Sequence, residues 1–235
     1  MQDGYSGPVI LRDDFEGYSK YDFRLSPRYA NYIESILVTS GMIRDRYIEY
    51  FVFIYQRIEK LALDIVNGME QKKINSLTLI CILKGASKFG ADLFQQLEMA
   101  SFSRGKNMTF HMDFIVANTY LNDQVNHETH VRLCSNPAKF RDQALLVVED
   151  LVDTGTTLRK LVAYLNSQNP LYVEVATLLV KRRPDCPPFQ PDYVGFEVPN
   201  RFIVGYAIDY NDYFREIPHV CSVNDEGKKH FAVTE

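Results

Sequence analysis

Eleven residues, Val147-Val148-Glu149-Asp150-Leu151-Val152-Asp153-Thr154-Gly155-Thr156-Thr157, constrain this chain more than any other segment. An apolar strand runs into two acids, and a loop of small hydroxylated residues then opens a helix. Gly155 lets the backbone come close to a ligand, Thr154, Thr156 and Thr157 offer hydroxyls, and the unpaired N–H groups of a helix start favour a dianion. The spacing predicts a phosphate cradle over Asp153, Thr154, Gly155, Thr156 and Thr157. It is not a nucleotide-triphosphate loop, because G-x-x-x-x-G-K-[ST] is absent. Glu149 and Asp150 are costly beside a phosphate unless they meet hydroxyls or a metal ion. A ribose phosphate with Mg²⁺ supplies both.

The flanking pattern places this motif in a layered α/β fold. Apolar runs predict strands at 76–83, 108–117, 144–148 and 173–180, with helices at 87–97 and 157–165, and further strands at 193–198 and 202–208. That order argues for a mostly parallel twisted sheet with helices on both faces. One domain over 1–235 is expected, its core at about 57–200. Apolar residues at Tyr29, Tyr32, Ile33 and Ile36, after Ser26-Pro27, predict a helix of about three turns. A short strand is expected at Val9 to Leu11. The uninterrupted aromatic stretch Tyr50 to Tyr55 fits a helix buried all round, a subunit contact or a β segment. The polar stretch from Asn118 to Lys139 reads as a loop.

Bulk properties exclude several functions. With 26 basic and 30 acidic residues the chain has no electrostatic footprint for nucleic acid, and Lys181-Arg182-Arg183 is too short to make one. Four well-separated cysteines (Cys81, Cys134, Cys186, Cys221) lack C-x-x-C pairing and suit reduced thiols in a cytosol. No apolar run is long enough for a bilayer, and no secretory start is evident. His127-Glu128-Thr129-His130 lacks the spacing of a zinc helix.

Lys84-Gly85, at the end of an apolar strand, puts a cation and a small residue where pyrophosphate oxygens can be held. Lys181 ends another strand, where a lysine snorkels to solvent or pairs with an acid. Asp209 and Arg215 offer a carboxylate for a metal and a guanidinium for a phosphate, or else a surface ion pair.

With these motifs in view, the chain resembles the type I phosphoribosyltransferases, specifically the hypoxanthine-guanine branch. The likeness rests on the 147–157 run, on Leu83-Lys84-Gly85, on Leu178 to Arg182 and on the block from Pro191 to Asn211, and spans Val9 to Phe231. It implies a hood lobe from about 9–45 and 201–235 over the parallel sheet. It further implies transfer of ribose from phosphoribosyl pyrophosphate to hypoxanthine or guanine in purine salvage, giving IMP or GMP.

By the same resemblance Asp153 handles the purine N7 proton, and Glu149 and Asp150 orient the ribose. Lys84, Gly85 and Arg215 hold pyrophosphate, Lys181 meets the 6-oxo group, Phe202 stacks on the base, and the backbone of Ile203 reads its edge. Asp209 joins Glu149 and Asp150 around Mg²⁺ and also belongs to the purine-binding set, and Thr119-Tyr120 belong to a lid. A homodimer or homotetramer is implied.

The chain departs from the family pattern at Asn118 and Thr119, where Lys-Ser is usual, at Ala86, which replaces a glycine, and at Thr156, which replaces a lysine. Tyr47 to Gln56 looks like an insertion of about ten residues, or roughly 15 Å if helical. A slow paralogue that binds nucleotide is the alternative these changes raise.

Overall fold

In a computed structural model, described over residues 7–44, 57–121, 124–133, 136–184 and 189–233, ten strands and five helices are formed. The strands are β1 (Val9–Ile10), β2 (Ile33–Val38), β3 (Ser76–Leu83), β4 (Thr109–Leu121), β5 (Gln124–Leu133), β6 (Ala144–Val152), β7 (Tyr172–Lys181), β8 (Tyr193–Val198), β9 (Ile203–Val204) and β10 (Val220–Val223). The helices are α1 (Ser40–Arg44), α2 (Arg57–Gln71), α3 (Ser87–Ser103), α4 (Thr156–Asn166) and α5 (Asp225–His230).

The larger sheet has the order β1-β8-β7-β6-β3-β4-β5. Every neighbouring pair is parallel except β4 with β5. The apolar runs of β3 and β6 follow from burial on both faces. Leu77, Leu79 and Cys81 of β3, with Leu146 and Val148 of β6, pack beneath α2 and α3. Ile80 and Ile82, with Leu145 and Val147, meet Leu158, Leu161 and Leu165 of α4. Period-two alternation thus feeds two cores, and a strand with both faces covered has no place for polar residues. Burial pushes the Cys81 thiol up to about 12, which keeps it protonated, and Glu149 adds to the effect.

A second sheet, β2-β10-β9, is antiparallel and has its own core of Tyr29, Ile33, Ile36, Val204, Phe214, Cys221 and Phe231. It joins chain segments almost 200 residues apart.

Several expectations are corrected. The helix predicted after Pro27 stops after a few turn residues: Ser26 caps the Arg28 N–H, and Tyr29 and Ala30 bond back to its carbonyl. From Ile33 the chain is strand, because β-branched Ile33, Ile36 and Val38 pair with β10 across the fold. The polar loop expected from Asn118 is instead a two-stranded ribbon, β4 continuing to Leu121 and pairing with β5. The strand expected at 202–208 is only Ile203–Val204 long; Gly205, Tyr206 and Ala207 all take positive φ and turn the chain. β10 and α5 are additional elements near the C-terminal end that no sequence expectation covers. Val9–Ile10 joins the larger sheet beside β8. The Tyr47 to Gln56 stretch, Cys134 and Cys186 lie outside the described residues.

Candidate active site

Strand order reverses between β3 and β6: from β3 the chain proceeds to β4 on one side, and from β6 to β7 and β8 on the other. In open α/β sheets a crevice forms at such a switch point, outside the carboxyl ends of the strands. Here it is a cavity of about 540 Å³. Its walls include Ile82 to Gly85 from the end of β3, Glu149 to Asp153 and Gly155 to Leu158 from β6 and α4, Lys181 from the end of β7, and residues from the segment 202–215.

On one wall Gly155, at φ +72°, turns the chain from β6 into α4. A Cβ there would lie 3.0 Å from the Phe189 backbone nitrogen, so glycine is required twice over, by φ and by space. Thr154 Oγ1 lies 3.1 Å from Thr156 Oγ1 and accepts from the Thr156 N–H at 3.4 Å. Thr156 and Thr157 face the cavity at the helix start. Of the residues expected to form the cradle, Asp153, Gly155, Thr156 and Thr157 line the cavity, and Thr154 joins them through its hydrogen bonds to Thr156.

Glu149 and Asp150 form the floor. Burial pushes the Glu149 carboxyl well above its ordinary range, and the adjoining Asp150 carboxylate pushes it further. Asp150 is also raised, chiefly by burial, with a contribution from Asp209. Among the described residues no cation pairs with either. Two half-buried carboxyls facing an open cavity without a counter-ion are costly unless a ligand completes them. Hydroxyls and a hard divalent cation fit that donor set. No cluster of three or more acidic, histidine or cysteine groups is close enough to cage a metal by itself among the described residues. A hard divalent cation that keeps water and substrate oxygens as ligands would suit such a site.

Opposite stand the cations. Lys84 Nζ is 2.9 Å from Asp212 Oδ1. Arg215 reaches the same oxygen at 3.0 Å and Asp209 Oδ1 at 2.8 Å, and it donates to the Ala207 carbonyl at 2.8 Å. Lys84, Arg215 and Asp209, expected to serve pyrophosphate and metal, are thus brought together around Asp212, an acid the sequence reading had not singled out. Gly85 is packed against Asp150, and a Cβ there would collide with that carboxylate.

Lys181 is buried at the end of β7, with Nζ 3.1 Å from Asp153 Oδ2. Arg183 takes Asp153 Oδ1 at 2.8 Å. Burial alone would raise the Asp153 carboxyl; Lys181 and Arg183 outweigh it and hold the group below its ordinary value, so it stays ionised. Phe202 lines the same cavity, edge-on to Tyr210 at 4.9 Å, and Ile203 adjoins it.

Thr119 and Tyr120 lie on β4 three and four residues beyond Val116, which lines the cavity. Eight non-glycine residues with positive φ are found among the described residues, and Tyr206, Ala207, Asn211, Asp212 and Phe214 are five of them. Each costs about 1–3 kcal/mol and persists only where its surroundings enforce it. Asn211 and Asp212 line the cavity, so this turn shapes its wall, while Tyr206 and Phe214 are fully buried behind it.

The segment 53–211 matches the Phosphoribosyl transferase domain family. The chain belongs to that family. It is 42% identical over 225 residues to the hypoxanthine-guanine phosphoribosyltransferase of Schistosoma mansoni, covering 96% of this chain and 75% of the relative. It is 36% identical over 229 residues to phosphoribosyltransferase domain-containing protein 1 of Homo sapiens, covering 97% and 96%. The crystal structure of the Schistosoma mansoni enzyme in complex with IMP superposes with a TM-score of 0.79 at 38% identity, covering 97% of this chain and all of that one. As a phosphoribosyltransferase the chain carries the family's parallel sheet flanked by helices, and this cavity is its candidate active site. Among the described residues no helix is long and apolar enough to cross a membrane.

Proposed function

We propose that this cavity transfers the 5-phosphoribosyl group of phosphoribosyl pyrophosphate to N9 of hypoxanthine or guanine, yielding IMP or GMP and pyrophosphate in purine salvage. The carrying observation is the unpaired acid floor, Glu149 with Asp150, set beside the phosphate cradle at a strand switch point. Such a floor suits ribose hydroxyls, and the cradle next to it suits the 5′-phosphate.

In this reading Thr154 to Thr157 hold the 5′-phosphate, and Glu149 and Asp150 orient the ribose and offset the positive charge that builds on its ring. Lys84 and Arg215 neutralise the departing pyrophosphate. Bound Mg²⁺ would supply further neutralisation of that leaving group; Glu149, Asp150 and Asp209 would each offer it a carboxylate alongside water and substrate oxygens, Asp209 by giving up its pairing with Arg215. Lys181 donates to the 6-oxo oxygen, Phe202 stacks on the base, and the Ile203 backbone reads its edge. Asp153 takes or stabilises the proton at N7. The small sheet and its flanking segments serve as the hood, and the β4–β5 ribbon carrying Thr119 and Tyr120 serves as the lid that excludes water. A cytoplasmic homodimer or homotetramer completes the reading. The slow-paralogue alternative gains no separate support: Ala86 is a fully buried residue at the start of α3, and Thr156 joins the cradle.

The test is Asp153→Asn. Turnover should fall about 10²- to 10⁴-fold, the usual worth of a positioned acid–base group, while GMP binding is kept. Turnover at the wild-type rate would remove Asp153 from its role.

A further inference from the structure

Residues 181 to 183 leave β7 as three consecutive cations whose side chains part in two directions. Arg182 turns to the N-terminal arm, bonding the Leu11 carbonyl and Asp13 Oδ1, the latter at 2.6 Å. Lys181 and Arg183, two positions apart, both turn to Asp153. Extended backbone sends alternate side chains to the same side. The Asp153 carboxylate is thereby shared, Oδ2 with Lys181 and Oδ1 with Arg183. Lys181 and Asp153 line the cavity; Arg183 is not part of its lining and holds Asp153 from outside it.

The arrangement has an electrostatic consequence. With Lys181 alone, the pair would be neutral and closed on itself, and a base oxygen could engage the ammonium only by drawing it away from a carboxylate that is three-quarters buried. Leaving such a group short of a partner is costly. With Arg183 present the trio carries a net positive charge, and Asp153 keeps a charged partner when Lys181 turns inward. Arg183 meets the carboxylate at one oxygen, Oδ1, through Nη1, so it steadies Asp153 while leaving Oδ2 to Lys181.

We infer that Arg183 is a positioning residue for purine recognition: by holding Asp153 from behind, it releases Lys181 to bind the carbonyl oxygen of a 6-oxopurine. The inference rests on the reading of the cavity as a 6-oxopurine phosphoribosyltransferase site. Arg183 itself touches no reacting atom, so its effect is on the affinity for the base and not on pyrophosphate handling.

Initial-rate kinetics of the full chain with hypoxanthine and phosphoribosyl pyrophosphate, comparing wild type with R183Q and R183K, tests it. In R183Q the KM for hypoxanthine should rise about tenfold, in keeping with loss of one charge-assisted hydrogen bond. The KM for phosphoribosyl pyrophosphate should stay within about twofold, and R183K, keeping the charge on a shorter side chain without the planar guanidinium, should fall between. An unchanged hypoxanthine KM, or an equal rise of both KM values with a lowered Tm, would make Arg183 a structural tie only and overturn the inference. Should R183Q not fold, R183K carries the test: a rise confined to hypoxanthine supports the inference, and no change or an equal rise of both overturns it. Failure of the wild type to form any nucleotide would instead overturn the reading of the cavity, and this inference with it.

Discussion

The ammonium of Lys84 lies 2.9 Å from the carboxylate of Asp212, across 128 residues of sequence. Because Arg215 binds the same oxygen, Asp212 occupies both cations proposed for pyrophosphate. Its own carboxyl is held below the ordinary range, first by the Lys84 hydrogen bond and then by that of Arg215.

An incoming pyrophosphate must displace this acid. Asp212→Asn should therefore lower the KM for phosphoribosyl pyrophosphate about two- to fivefold, the modest effect appropriate to an exposed ion pair. The gain should shrink as salt is raised, because screening already loosens the pair in the wild type. Initial rates at two salt concentrations check both points. A raised KM would mean that Asp212 orients the cations and does not compete for them.

Glu149 gives a prediction in which stability and activity move in opposite directions. Its folded-state carboxyl is raised by burial and by Asp150, so its ionisation in the folded chain opposes folding at every pH above its unfolded value. Glu149→Gln removes the titrating carboxyl whose ionisation the buried floor opposes. At pH 7 the ligand-free variant should melt higher than wild type, by thermal denaturation, while nucleotide formation falls at least about tenfold. A lower Tm in the variant would mean that the floor is not strained by its charges.

The 147–157 strand-loop-helix was legible because every requirement there is local: an apolar strand, a glycine able to take φ +72°, and hydroxyls in sequence. The parallel sheet was legible for a similar reason, since β3 and β6 carry their burial in their own composition. Failures arose where distant pairing decides. Tyr29, Ile33 and Ile36 satisfy helical spacing equally well, and only β10, almost 200 residues later, selects the strand. The polar composition of β4–β5 hid a ribbon in which β5 pairs with β4 as the outermost strand of the sheet. Asp212 and Arg183 carried no signal of their own: one looked like a surface acid and the other like part of a short basic run. Their meaning comes from contacts with Lys84 and Asp153, which no spacing rule reaches.

His219 makes stability depend on pH. It is buried just before β10, its Nδ1 accepting from the Ser40 N–H at 2.9 Å, with the Phe23 ring edge-on at 4.9 Å. Burial lowers its folded-state pKa, so the folded chain prefers the neutral ring. The unfolded chain binds the proton first as pH falls through about 6.5, and stability should decline from there downward. The slope from this group is at most about 1.4 kcal/mol per pH unit. Denaturant unfolding at pH 7.5 and pH 5.5, for wild type and His219→Asn, isolates it. The variant should lose less stability on acidification, and an equal loss in both would assign the dependence to other groups.

The most direct measurement is product formation from hypoxanthine, phosphoribosyl pyrophosphate and Mg²⁺, with IMP and pyrophosphate quantified together and an EDTA control run alongside. IMP and pyrophosphate should form in equal amounts, with formation abolished by EDTA and adenine a poor substitute for hypoxanthine. Folded protein that binds phosphoribosyl pyrophosphate yet forms no nucleotide from either 6-oxopurine would contradict the proposed transfer.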